Sequence, residues 1–159
     1  MRPQGGFTLV ELLVTVTVAA ILLGYGVPGF RDLIRNSRAS AAANEIVTAL
    51  QYARSEAVRR GAAVDVCRSN AAGNACENGT NWRTGWRVMQ GVTLLRAGPA
   101  AGDATTVTGP ATNVQFRASG VPVAAAAFSV VPDGCHDDGQ RSITVALTGR
   151  IAVARTGCP

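Results

Sequence analysis

The distribution of apolar and polar residues divides the chain into three parts with different periodicities. From Phe7 to Val27 the only charged side chain is that of Glu11. A helix of this length can span a hydrocarbon core of about 30 Å. We therefore expect residues 7–28 to form one membrane-spanning helix.

Helical spacing continues beyond Pro28 and predicts an amphipathic second half, residues 29–60. Its expected inner face carries small and apolar residues: Phe30, Ile34, Ser37, Ala41, Ile46, Ala49, Leu50, Ala53 and Ala57. Gly61, directly after two arginines, is a typical C-terminal stop. We expect one helix from about Phe7 to Arg60 that bends or locally melts at Pro28. A separate second helix is the alternative.

After Gly61, short alternating segments predict β-strands. These segments are residues 63–67, 86–89, 92–95, 113–117, 128–131, 142–147 and 150–155. Tight turns are expected around Gln90-Gly91 and at Thr148-Gly149. Residues 97–112, rich in Gly, Ala, Thr and Pro, predict a loose loop. The chain is thus expected to be an α+β protein with a β-rich globular region at 61–159.

Composition adds a basic character to this outline. The chain has 159 residues, enough for one domain beside the apolar segment. All fifteen basic residues are arginine, and the formal net charge is +5. This charge favours acidic partners such as nucleic acid or anionic lipid headgroups, although many proteins that bind neither share it.

The four cysteines form two sequence clusters without a Cys-x-x-Cys spacing, which argues against zinc and thioredoxin-like sites. An even number in an exported domain favours disulfides and an oxidising compartment. Three connectivities are possible; we favour Cys67 with Cys76 and Cys135 with Cys158. Four buried free thiols are the alternative.

Catalytic and metal-binding signatures are weak. His136 is the only histidine, and with Asp133, Asp137 and Asp138 it could contribute to a metal site. Such oxygen-rich segments beside glycine are more often solvated turns. The chain contains neither a Gly-x-Ser-x-Gly nucleophile elbow nor a Walker A loop. We expect no enzyme activity, no cofactor and no metal.

The N-terminal residues resemble the class III leader of type IV pilins and type II secretion pseudopilins. The resemblance rests on Gly6, on Phe7-Thr8-Leu9-Val10-Glu11-Leu12 and on Pro28. It implies that residues 1–6 are a leader, that a prepilin peptidase cuts between Gly6 and Phe7, and that the Phe7 amine is methylated. An uncleaved signal anchor is the alternative.

Glu11 has the most specific expected role. A carboxylate in hydrocarbon costs on the order of a few kcal/mol, so a retained charge usually has a partner. Cleavage after Gly6 would supply one, because the new α-amine of Phe7 is a nearby cation. The resemblance ties this residue to insertion into a filament. A carboxylate that merely reaches the membrane edge is the alternative.

The globular part resembles the GspH/FimT branch of minor pilins and pseudopilins. The matching pieces are Ser55-Glu56-Ala57, Asn81-Trp82, Gly85-Trp86, Val114-Gln115-Phe116, Gly120 and Ile143 to Arg150. The resemblance implies a type IV pilin-like fold, a long helix packed against antiparallel sheet. It also implies a single-pass inner-membrane protein with a periplasmic domain that joins other pilins in a filament. The further implied partners are the lipid bilayer and an inner-membrane assembly machinery.

The resemblance also implies an alternative function, DNA binding for uptake in natural transformation, because FimT-like pilins resemble DNA receptors. The corresponding residues are Arg141, Gly149, Arg150 and Arg155, with Arg117 as a further candidate. Guanidinium groups bind phosphates without reading sequence. The chain departs from the pattern at Ala152 and Ala154, where arginines would strengthen the patch. On a regular strand Arg150 and Arg155 would point to opposite faces. A plain solvated hairpin surface is the alternative.

Overall fold

The structure, a computed structural model, describes residues 8–159 apart from the side chains of residues 25–29 and 31. Gly6 and Phe7 lie outside the described residues. The single long helix α1 is Leu9–Arg60, and a short 3₁₀ turn covers Trp82–Thr84. The strands are β1 Val64–Arg68, β2 Trp86–Gln90, β3 Thr93–Gly98, β4 Thr105–Thr108, β5 Val114–Phe116, β6 Ala126–Pro132, β7 Gln140–Val145 and β8 Ile151–Thr156.

The chain divides after Ile34 into two compact units. In the first unit the described side chains of α1 are almost all exposed, including Leu9, Leu13 and Leu22. The helix is unbroken at position 28, so the local melting expected at Pro28 does not occur. Among the described residues, no helix combines the length and hydropathy needed to cross a membrane.

In the second unit, residues 35–159, α1 packs its inner face against the sheets. That face consists of Ala39, Ala43, Ile46, Ala49, Leu50, Ala53 and Ala57. The expected stripe was therefore correct from Ile46 onward and wrong before it, because Ser37 and Ala41 are exposed. In the first unit, Phe30 is also exposed. In an alanine-rich segment, several helix faces are equally small, so spacing alone cannot select the buried one.

The C-terminus of α1 is closed by a left-handed glycine, as the sequence predicted. Gly61 has φ 61°. The amide of Ala62 donates to the carbonyl of Ala57, and that of Gly61 to the carbonyl of Val58, both at 3.3 Å. These two bonds satisfy carbonyls that the helix end would otherwise leave unpaired.

The strands form two antiparallel four-stranded sheets, ordered β3-β2-β1-β5 and β4-β6-β7-β8. Their inner faces enclose the core with α1, and Trp82 meets Phe128 edge to face at 5.0 Å between ring centroids. The loose loop expected at 97–112 is wrong in part, because β4 lies within it and pairs with β6. Thr105 and Val107 of β4 are buried.

The β7–β8 connection is also longer than the two residues expected. Val145 pairs with Ile151, so residues 146–150 form the turn. The amide of Ala146 donates to the carbonyl of Arg150, and the amide of Gly149 to the carbonyl of Ala146. Arg150 consequently belongs to the turn and not to the strand.

Candidate functional site

The N-terminal motif begins the helix in a way that sequence analysis did not anticipate. The amide of Glu11 donates to Oγ1 of Thr8 at 3.2 Å, and Thr8 directly precedes the first helical residue. Thr8 and Glu11 thus stand at the N-cap and N3 positions of a Thr-x-x-Glu pattern, a signal that could have revealed this role. The Glu11 side chain is exposed in the described chain.

Arg141, one of the predicted DNA-binding residues, is buried. Its residue surface is 6% exposed. One guanidinium nitrogen, Nη1, donates to the carbonyls of Asp138, Gly139 and Gln140, and Nη2 donates to the Ser40 hydroxyl at 3.3 Å. Burial, and secondarily the charge of Arg155, lowers the pKa of Arg141. This position does not suit a surface contact to a phosphate.

Arg150 lines an open hollow of about 720 Å³ between the end of α1 and the β7–β8 turn. Arg54 and Arg59 line the same hollow, together with Val58 and Ile151. Sequence analysis did not place the two helix arginines with Arg150. Only the fold brings them together, although basic residues close to a helix end were visible in the sequence.

Gly149 has a conformational role at this turn. Its φ is 80°, which favours glycine. A β-carbon there would come within 2.7 Å of the Gly120 carbonyl oxygen. Its own carbonyl accepts a hydrogen bond from Nη1 of Arg54 at 2.8 Å. Gly149 therefore fixes the position of Arg54 beside the turn.

Arg155 lies at the other end of β8. It is directly opposite Arg141 in the β7–β8 ladder, so both side chains project from the same face. A second hollow of about 260 Å³ is lined by both arginines, by Ser40 and Asn44 of α1 and by Val153. Arg117 is exposed and lines neither hollow.

An ion-pair network closes the end of α1. The Glu56 carboxylate accepts hydrogen bonds from Nε and Nη2 of Arg59 and from Nε of Arg60. The bonds from Arg59 and then Arg60 lower the pKa of Glu56 from 4.5 to about 2, and the bond to Glu56 raises the pKa of Arg59. Arg60 also donates to Gln90 at 3.0 Å.

The four cysteines form two disulfides, Cys67 with Cys76 and Cys135 with Cys158, which is the connectivity favoured from the sequence. In the sequence, Asp133, His136, Asp137 and Asp138 lie within three positions of Cys135. Nowhere in residues 8–159 do three His, Cys, Asp or Glu side chains form a cluster that could hold a metal ion.

Two family models match the chain. The model described as type II transport protein GspH matches residues 42–149, more than half of the chain. The model described as the prokaryotic N-terminal methylation motif matches residues 1–26. No curated protein sequence matches the chain significantly.

Solved structures of pilins are similar to the chain. The type IV minor pilin FimU of Pseudomonas aeruginosa, in two crystal forms, has TM-scores of 0.56 and 0.58 at 24% identity. These matches cover 72% and 76% of this chain and 91% and 90% of FimU. The minor pseudopilin EpsH from the type 2 secretion system of Vibrio cholerae has a TM-score of 0.55 at 15% identity, covering 74% of this chain and 97% of EpsH. The likeness confirms the predicted type IV pilin-like α+β fold.

Proposed function

The chain belongs to the GspH family of minor pilins and pseudopilins, and on this premise we propose that it is a filament subunit processed at Gly6. Members of this family are structural subunits that assemble with other pilins or pseudopilins, and the chain is not an enzyme. The observation that carries the proposal is the match of the methylation motif to residues 1–26, directly before a pilin-like domain.

In the proposed maturation, a prepilin peptidase removes residues 1–6 and methylates the amine of Phe7. Residues 7–28 then anchor the subunit in the inner membrane, with the domain in the periplasm. The support for this anchor is the sequence, which has Glu11 as its only charge between Phe7 and Val27. During assembly these residues leave the bilayer and pack against the helices of neighbouring subunits.

Glu11 is proposed to neutralise the amine of Phe7, its own or that of a neighbour, where water is scarce. Its place in the first turn of α1 brings a carboxylate to the end of the helix where the dipole favours negative charge. The amine and the helix dipole act in the same direction on Glu11, because each stabilises the charged form of its carboxyl group.

The test is expression with a pilin assembly machinery, followed by mass spectrometry and by shearing of filaments from the cells. We expect a mature chain that begins at methylated Phe7 and appears in the sheared fraction. Glu11→Gln should still be cleaved but should be reduced at least several-fold in that fraction. A mature chain that begins at Met1, or wild-type protein absent from filaments, would refute the proposal.

DNA capture during uptake is the second candidate function. It is favoured by the joint position of Arg54, Arg59 and Arg150 around one open hollow, and opposed by the burial of Arg141. Phosphate contacts would make such binding sequence-independent and salt-sensitive. A gel shift of the full chain in detergent with duplex DNA across a salt series is the test. Retardation at low salt that Arg150→Gln weakens would support it.

A further inference from the structure

Both hollows described above lie along one seam, between α1 and β8. We define the α1–β8 seam by Ser40, Asn44, Gln51 and Ser55 on the helix and by Ile151, Val153 and Arg155 on the strand. The three strand residues alternate along β8 and therefore share the face that is turned toward α1. Along the helix, the other four residues recur at intervals close to one or two turns.

The seam is basic at both ends and uncharged between them. Arg54 and Arg150 stand exposed at one end, beside Arg59, whose charge is paired with Glu56. Arg155 stands exposed at the other end, beside the buried Arg141. No aspartate or glutamate lines either hollow. Arg150 and Arg155 were expected on opposite faces. They instead line the same seam, because Arg150 precedes the strand that begins at Ile151.

The middle of the seam is apolar or neutral. Val153 is 47% exposed, and the uncharged Ala154 and Asn44 line the same hollow. Gln51, also uncharged, lines the other hollow. Between residues 150 and 155 the strand extends roughly 16 Å at about 3.3 Å per residue. A nucleic-acid backbone would bring phosphates into this uncharged middle, whereas a peptide can place apolar side chains there.

β8 is also an open sheet edge. Among the described strands its only neighbour is β7, and the pairing is regular over six residue pairs without a bulge. No proline or lysine interrupts it. Such an edge presents unpaired main-chain groups that an extended segment can bind.

We propose that the α1–β8 seam binds an extended acidic segment of another filament subunit, which adds to β8 as an antiparallel or parallel strand. The main chain of the segment pairs with β8, and its apolar side chains cover Val153. Carboxylates at its two ends meet the exposed side chains of Arg150 at one end of the seam and Arg155 at the other. The inference rests on the proposed filament function and names the chemistry of one partner contact.

The probe is the fluorescent peptide Glu-Thr-Val-Thr-Val-Thr-Glu, in which both carboxylates and both valines share one face of an extended strand. Its binding to the full chain in detergent is followed by fluorescence polarisation at low salt. We expect saturable binding that Arg150→Gln and Arg155→Gln each weaken about two- to fivefold, as exposed charge pairs do. The matched control Arg83→Gln, which removes the same charge outside the seam, should leave binding unchanged.

Two further peptides test the strand geometry and the charge. Methylation of every second amide nitrogen blocks main-chain pairing on one edge only, so one of the two alternations should abolish binding and the other should not. Replacement of both glutamates by glutamine should weaken binding as strongly as loss of the arginines. Equal binding by both methylated peptides, or binding indifferent to Arg150→Gln and Arg155→Gln, would overturn the proposal.

A short DNA duplex serves as the competing ligand. Retardation of DNA that depends on Arg150 and Arg155, with no binding of the peptide, would overturn the proposal in favour of nucleic acid. Failure of the proposed filament function is separately visible, because wild-type protein would then be absent from sheared filaments. Normal incorporation without peptide binding would refute the seam contact alone.

Discussion

Arginine side chains of this chain differ in role according to their surroundings. The Arg141 side chain is buried and donates to main-chain carbonyls. The side chains of Arg150 and Arg155, in contrast, are exposed and form no hydrogen bond or ion pair among the described residues. A buried guanidinium loses its hydrogen bonds to water. The carbonyls of residues 138–140 replace those bonds and so stabilise Arg141 in its buried position. Only the exposed arginines can bind an external anion.

Glu56 should make stability depend on pH. Its pKa is lowered from 4.5 to about 2, so its stabilising effect is fully present above pH 4.5 and is lost as the pH falls through about 2. Glu56→Gln should therefore lower Tm at pH 7, and the difference from wild type should shrink between pH 4.5 and 2. Differential scanning fluorimetry measures both.

The control for this prediction is Glu45→Gln, which removes the same charge from an exposed position of α1. It should change Tm little at any pH. A difference between wild type and Glu56→Gln that stays constant from pH 7 to pH 2 would contradict the assigned ion-pair network.

At the scale of the elements, pairing between strands decides whether a short segment forms a strand when its own sequence pattern is ambiguous. β4 has only four residues, of which Thr105 and Val107 point inward. This alternation is too short to identify a strand within a segment rich in Gly, Ala and Pro. It is a strand because β6 supplies its hydrogen bonds. The β2–β3 pair shows the same dependence, since Trp86 lies opposite Gly98 and its indole ring covers that glycine.

Gly98→Ala should destabilise the domain by about 1–3 kcal/mol, because a β-carbon would collide with the ring of Trp86 in a packed core. Urea unfolding monitored by tryptophan fluorescence measures the change. Gly102→Ala is the matched control, since nothing lies within 4 Å of the β-carbon added there. Equal unfolding midpoints for the two variants would contradict this packing.

At the scale of the whole molecule, the two disulfides close loops of different length. Cys135 and Cys158 are separated by 23 positions, and Cys67 and Cys76 by 9. The first ties the segment after β8 to the β6–β7 connection, next to the Arg141 end of the α1–β8 seam. The second closes the polar loop after β1, which Arg68 also holds through the carbonyls of Glu77 and Asn78.

Loss of either disulfide should destabilise the fold by about 2–4 kcal/mol, and the longer loop should have the larger effect in the chain-entropy model. Paired serine variants, Cys135→Ser with Cys158→Ser and Cys67→Ser with Cys76→Ser, can be compared by denaturant unfolding. A reduced wild-type chain as stable as the oxidised one would contradict the stabilising role of both bonds.

The sequence by itself determined the N-terminal motif, the end of the long helix at Arg60, the α+β class and most strands. These are local signals: the Phe-Thr-Leu-Val-Glu order, a glycine that adopts positive φ and alternation over several residues. Only the tertiary structure decided the burial of Arg141, the strand at 105–108 and the position of Arg54, Arg59 and Arg150 around one hollow. Residues far apart in the chain create these features by contact, and periodicity along one segment carries no information about what packs against it.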